Sequence, residues 1–183
     1  GAKIARKEGG FHASKVRSIM TGQIQISPLK KNQTQEINSY LEQNKPRLLQ
    51  RVNEIDPILV NFGGGAEDIN TYQISTDRGD MLIINLDVDV KDAMGANAVN
   101  SMVEELAQVI ESEISVSVLL RIISNLSIKR IIKCKAVFDS EMLGGQAGID
   151  RILDAYSFAK ADPFRATTHN KGIMNGISAF ALA

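Results

Sequence analysis

Apolar side chains recur along this chain with two different periods, and the switches between them mark its elements. In residues 81–90, Ile84, Leu86, Val88 and Val90 take one face while Asn85, Asp87, Asp89 and Lys91 take the other. That alternation predicts a half-buried antiparallel strand. A strand over 69–75 precedes it, and Asp77-Arg78-Gly79-Asp80 supplies the backbone angles of a tight hairpin turn. Residues 94–113 switch to helical spacing, with Val99, Met102, Val103, Leu106 and Ile110 on one stripe and Glu104, Glu105, Gln108 and Glu111 opposite.

Two further strands follow over 116–123 and 130–138, the second alternating Ile132, Cys134, Ala136 and Phe138 against Lys133 and Lys135. Upstream, residues 19–26 alternate in part. After a break at Pro28 and the polar run 30–35, Ile37, Tyr40, Leu41, Leu48 and Val52 predict a helical arm that Pro46 kinks or divides. Beyond Gly144-Gly145 the spacing is helical to the end, with a stop near Asp162-Pro163. The order predicts an α+β fold, an antiparallel sheet with helices on one face. Both ends look interior to structure. Ala2, Ile4 and Ala5 read as the last turns of a helix stopped by Gly9-Gly10, and residues 177–183 remain apolar with nothing to terminate them, so a piece of a larger protein is expected.

Composition narrows the function classes. Across 183 residues, 21 Lys+Arg balance 21 Asp+Glu, which gives no electrostatic pull toward nucleic acid, and 44% hydrophobic with 23% charged residues is an ordinary globular balance. The basic run Lys129, Arg130, Lys133 and Lys135 lacks the interleaved aromatics of an RNA-binding sheet. No apolar run approaches the roughly 18 to 20 residues of a membrane span, and no secretory signal is visible, so a cytoplasmic protein is expected. One cysteine, Cys134, read as a core residue, and two histidines, His12 and His169, make no metal-ligand set.

Two segments carry candidate chemistry. In Asp89-Val90-Lys91-Asp92-Ala93-Met94-Gly95-Ala96-Asn97 a strand runs directly into a helix that Asp92 is placed to cap. Gly95 in the first turn leaves room for a ligand beside free N–H groups that attract phosphate. The plainer alternative is a capped helix whose glycine packs on the sheet. Gly63-Gly64-Gly65 matches neither dinucleotide nor phosphate-loop spacing and reads as a flexible connection, with Asp56 before it a solvated acid. The second segment, residues 162–176, concentrates Arg165, Thr167, Thr168, His169, Asn170, Lys171 and Asn175. A lysine can stabilise a developing oxyanion and an arginine can grip a carboxylate. On a helix Lys171 and Asn175 share one face and Gly172 and Gly176 another, so close packing on the glycines is the competing reading.

Taken together, Val88-Asp89-Val90-Lys91-Asp92-Ala93-Met94-Gly95-Ala96-Asn97, Leu120-Arg121-Ile122-Ile123-Ser124-Asn125-Leu126 and Ala166-Thr167-Thr168-His169-Asn170-Lys171-Gly172-Ile173-Met174-Asn175-Gly176 resemble the hydroxymethylglutaryl-CoA reductase family, in its class II, mostly prokaryotic branch. The resemblance covers essentially the whole chain. It implies reduction of hydroxymethylglutaryl-CoA to mevalonate and CoA by two hydrides from NAD(H) or NADP(H), or the reverse reaction, by a homodimer. It further implies a small, non-Rossmann dinucleotide-binding domain over 19–139, with 1–18 and 140–183 belonging to a large CoA-binding domain. By resemblance, Asp92, Met94, Gly95 and Asn97 meet the cofactor, and Asp56 matches an acidic position that favours NADH. Lys171 matches the catalytic lysine, Arg165 a contact to the substrate carboxylate side, and Thr168 and Asn175 residues that position substrate and lysine. The family's catalytic glutamate, aspartate and histidine segments have no counterpart in this sequence. The chain alone is therefore expected to bind dinucleotide at best, and a non-catalytic dinucleotide-binding domain is the alternative reading.

Overall fold

The computed structural model describes residues 2–14, 17–30 and 32–183. Gly1 and Lys31, which enter the reading of the chain start and of the polar break, lie outside the described residues. Helix α1 (Ala2–Ala5) runs through a 3-10 turn into Gly9, which stops it at φ 93°. Strands β1 (Phe11–Ala13) and β2 (Ile19–Ile26) follow, then helices α2 (Gln33–Asn53) and α3 (Pro57–Asn61). The hairpin of β3 (Gly65–Thr76) and β4 (Gly79–Asp89) leads to helix α4 (Ala96–Glu113) and strand β5 (Val118–Ile123). A short strand β6 (Cys134–Ala136) and helices α5 (Gly145–Ala161) and α6 (Pro163–Leu182) complete the chain.

These elements make two compact units: Lys15–Lys133, and Gly1–Ser14 together with Cys134–Ala183. In the first, β3-β4-β2-β5 form an antiparallel sheet whose one face carries α2 and α4. Alternation builds the core. Ile24 and Ile26 of β2 and Leu82, Ile84, Leu86 and Val88 of β4 point into one layer with Ile37, Leu41, Leu48 and Val52 of α2 and Val99, Met102, Val103, Leu106 and Ile110 of α4. Contact is closest at Gly22, where a Cβ would stand 2.1 Å from Val103 Cγ2, so only glycine lets α4 approach β2. The fold is α+β with helices on one face of the sheet, as the periodicity predicts.

Part of the opposite face is a polar network whose groups satisfy one another. Gln23 Nε2 donates to Asn85 Oδ1 (3.2 Å), Asn85 Nδ2 to Asn70 Oδ1 (3.1 Å) and Asn70 Nδ2 to Asp87 Oδ2 (3.3 Å), an amide chain running across three strands. Asp87 and Asp89, expected on a wet face, are in fact buried. Thr21 Oγ1 (2.6 Å) and Lys129 reach Asp87 there, and Lys91 reaches Asp89.

Several expectations change. The strand over 130–138 shrinks to Cys134–Ala136 and pairs with β1 in a separate two-stranded ribbon. Lys129 and Arg130 sit in a turn because their side chains are drawn onto Asp87 and the carbonyls of Ala93 and Met94. Cys134, read as core, is exposed: its alternation with apolar neighbours belongs to a three-residue strand of a two-stranded ribbon and not to the four-stranded sheet. Pro46 does not divide α2, which continues across it because apolar residues on both sides, Leu41, Leu48 and Val52, are anchored in the same core. In the second unit the predicted stop is realised: Asp162 Oδ1 accepts from Arg165 N (2.6 Å) and Pro163 opens α6.

Candidate functional site

Between β4 and α4 the chain makes a tight loop that Asp89 organises. Its Oδ1 accepts from the Lys91 backbone N–H and its Oδ2 from Lys91 Nζ, both at 2.9 Å, which holds Lys91 in the left-handed region at φ 51°. Burial pushes the Asp89 carboxyl up, but the Lys91 hydrogen bonds, with the Lys91 and Arg17 charges, outweigh it and leave the group below the usual carboxylate range. Ala93 N closes a turn onto Val90 O at 3.0 Å.

Helix α4 then begins at Ala96, with Gly95 as its N-cap at φ 88° and no side-chain cap. Asp92 therefore does not cap the helix. The turn at 91–94 places it three residues too early, exposed on the loop. Gly95 is required twice over, by its backbone angle and by space: a Cβ there would lie 2.6 Å from Val90 Cγ1 and 2.9 Å from Met20 Sδ. Packing on the sheet and a bare helix start, alternatives in the sequence, coexist at this residue. The N–H groups of the first turn of α4 have no intrahelical acceptors.

Beside the loop lies a cleft of about 650 Å³, lined among others by Asp56, Leu59, Phe62, Asp89, Lys91 and Asp92. Asp56 is not simply solvated: its Oδ1 caps α3 by accepting from Leu59 N at 2.9 Å. The triple glycine is a packed turn rather than a loose connection, since a Cβ on Gly64 would stand 2.5 Å from Asp89 O. The structure thus brings Asp56 and Asp92 into one cleft. Met94, 72% exposed, and Asn97, also exposed, stand on the adjoining loop and helix start without lining it. A slightly larger hollow of about 690 Å³, near Asn38, Glu42, Gln73 and Asp80, gathers none of the motif residues.

On α6, in the other unit, Lys171 Nζ donates to Asn175 Oδ1 one turn on. Thr168, one turn back on the same face, donates its hydroxyl to Phe164 O at 2.8 Å, and Arg165 lies in the first turn. A Cβ on Gly172 or Gly176 would meet nothing within 4 Å, so among the described residues the glycine stripe is open and the close packing weighed above is not observed. Lys171, Asn175 and Thr168 are exposed there. The residues that sequence reasoning missed are Asp89, Lys91 and Arg130, which shape the loop. Their signal was the polar alternation of β4, which reads as the wet face of a strand, and an adjacent cation pair after β5, which reads as part of a basic strand.

The family model for hydroxymethylglutaryl-coenzyme A reductase matches residues 1–183. The chain belongs to that family. It is 50% identical over 182 residues to the 3-hydroxy-3-methylglutaryl-coenzyme A reductase of Archaeoglobus fulgidus, covering 100% of this chain and 41% of that relative. It is 34% identical over 139 residues to a probable 3-hydroxy-3-methylglutaryl-coenzyme A reductase of Borreliella burgdorferi, covering 70% of this chain and 31% of that protein. Among solved structures, the class II reductase from Streptococcus pneumoniae bound to NADPH, in open conformations, superposes with a TM-score of 0.86 at 35% identity. That match covers 96% of this chain and 48% of the reductase chain, so the sequence spans less than half the length of these relatives. Among the described residues, no helix is long and apolar enough to cross a membrane.

Proposed function

We propose that this chain supplies the dinucleotide-binding domain and the catalytic lysine of a cytoplasmic, homodimeric hydroxymethylglutaryl-CoA reductase, which converts hydroxymethylglutaryl-CoA to mevalonate and CoA or runs the reverse reaction. Residues 19–139 are the dinucleotide domain on this reading, and 1–18 with 140–183 belong to the CoA-binding catalytic domain. The observation that carries it is the β4–α4 junction. There a glycine that tolerates no Cβ opens a helix beside a cleft whose volume, about 650 Å³, suits a small-molecule site.

The residues present fit a dinucleotide. The amides at the start of α4, in the loop of Asp92, Met94, Gly95 and Asn97, suit a pyrophosphate, and Asp56 offers a carboxylate oxygen for a ribose hydroxyl. A carboxylate there repels a 2′-phosphate, which favours NADH over NADPH. When bound, the nicotinamide supplies the hydride. Lys171 holds its ammonium toward the carbonyl oxygen that becomes anionic, in an orientation fixed by Asn175. Thr168 positions the substrate beside it, and Arg165 pairs with the substrate carboxylate.

Calorimetric titration of the chain with NADH and with NADPH tests this reading, with Gly95→Val as the control. Saturable binding that the variant abolishes is the expected result. Equal binding by the variant, or none by the wild-type chain, would overturn the assignment of the junction. For Lys171, hydroxymethylglutaryl-CoA-dependent oxidation of the dinucleotide by an assembled reductase carrying this sequence should vanish in Lys171→Ala while dinucleotide affinity stays unchanged.

A further inference from the structure

The segment after β5 returns across the sheet to the loop before α4 and is fastened there by two adjacent cations. Ser124 N donates to Thr21 O at 2.8 Å, and Lys129 pairs with the buried Asp87 on the polar face. Arg130 then reaches the loop itself. Its Nη2 donates to Ala93 O at 3.0 Å and its Nη1 to Met94 O at 3.2 Å, with Met20 Sδ 3.3 Å away beneath Gly95.

One guanidinium thus takes both carbonyls of consecutive peptides. In a trans peptide the C=O and the N–H point in opposite directions. With the carbonyls of Ala93 and Met94 turned to Arg130, the N–H groups of Met94 and Gly95 are turned away from it, extending the row of free N–H groups that begins α4. A planar fork with fixed donor directions sets two carbonyl orientations at once, which a lysine ammonium does not.

We infer that Arg130 is a positioning residue for the dinucleotide: it orients the 93–95 peptides so that their amides face the pyrophosphate, without itself touching the cofactor. The inference rests on the dinucleotide reading of the β4–α4 junction. It differs from a simple electrostatic contribution because it depends on the shape of the guanidinium and is present without ligand.

Two measurements on the full chain test it. The order parameters of the Met94 and Gly95 amides without ligand should fall from the rigid range of about 0.85 to below about 0.6 in Arg130→Ala, while those of Ile84 and Leu86 in β4 stay rigid. NADH affinity by calorimetry should fall about tenfold in the same variant, the loss expected of two hydrogen bonds that fix the loop. Arg130→Lys, which keeps the charge, should recover less than half of either loss. Arg121→Ala, which removes an equal charge at an exposed pair with Glu111, should leave both unchanged. Unchanged order at the Met94 and Gly95 amides in Arg130→Ala, or full recovery in Arg130→Lys, overturns the inference. If the wild-type chain binds NADH and Arg130→Ala binds it equally, the positioning role fails while the dinucleotide reading stands. If the wild-type chain binds neither dinucleotide, that reading fails and this role falls with it.

Discussion

Lys91 and Asp89 grip each other twice, backbone N–H to Oδ1 and Nζ to Oδ2, each at 2.9 Å, and this pair of hydrogen bonds turns the chain from β4 into the loop before α4. The Asp89 side chain is only 12% exposed, so its charge depends on that partner. Its carboxyl is held below the usual value, which fixes the sign of the linkage. The stabilisation is present above the unfolded carboxyl pKa of about 3.9 and is lost as pH falls through the lower folded value. Asp89→Asn should therefore lower the urea midpoint at pH 7, by an amount that shrinks progressively as pH falls below the unfolded value. A deficit that does not shrink with falling pH would show that the carboxylate charge is irrelevant.

Glycine substitutions should separate the two units by sign. At Gly22 a Cβ would enter the fully buried Val103 side chain, and Gly22→Ala should cost about 1–3 kcal/mol through overpacking between β2 and α4. At Gly172, inside α6 with open space around it, alanine meets nothing and should stabilise the helix by about 0.5–1 kcal/mol. Denaturant unfolding followed by far-UV dichroism reads both. A neutral Gly22→Ala would mean that α4 can move off the sheet at no cost.

Alkaline titration isolates the clamp between α2 and α4. Tyr40 is pushed up to about 12, first by burial and then by the Glu113 carboxylate that accepts its hydroxyl proton at 2.7 Å, with Arg47 opposing. Its raised folded value means that the stabilisation is complete below the unfolded tyrosine pKa of about 10 and is lost as pH rises toward the folded one. Absorbance of the phenolates should show a late component that ionises well above the ordinary tyrosine value. Tyr40→Phe should delete that late component, and Glu113→Gln should bring it earlier.

Much of this architecture was legible because period and burial agree where one face of an element is dry. The stripe of Val99, Met102, Val103, Leu106 and Ile110 and the β4 alternation of Ile84, Leu86 and Val88 predicted the sheet with its helices directly. Legibility failed where polar groups are buried by distant partners. Asp87 and Asp89 alternate like solvated residues, and what shows otherwise is distant in sequence or local in backbone: Thr21 and Lys129 on Asp87, 66 and 42 positions away, and the left-handed Lys91 on Asp89. The same holds for the candidate site. Gly95 was visible as a glycine near a helix start, but that the loop delays the helix past Asp92 follows from Asp89 catching the Lys91 amide, an Asx-type turn that hydrophobic periodicity does not register. Lys171 and Asn175 were placed by spacing alone, since both belong to one uninterrupted helix.

Asp56 offers the sharpest test of cofactor choice, because one of its oxygens has a structural task and the cleft meets the rest of the group. Oδ1 caps α3 through Leu59 N, so Asp56→Ala would mix a lost cap, worth about 1 kcal/mol, with any effect on binding. Asparagine keeps an acceptor for the cap and removes the charge. If the carboxylate discriminates against a 2′-phosphate, Asp56→Asn should leave the unfolding midpoint nearly unchanged and shift the NADPH-to-NADH affinity ratio toward NADPH by about tenfold, the effect of roughly 1.4 kcal/mol. Lys91 lines the same cleft and would be a cation available to the added phosphate, so Lys91→Gln in the Asp56→Asn background should reverse the shift. An unchanged ratio in Asp56→Asn, with the cap intact, would confine Asp56 to holding α3 and leave dinucleotide choice to other residues.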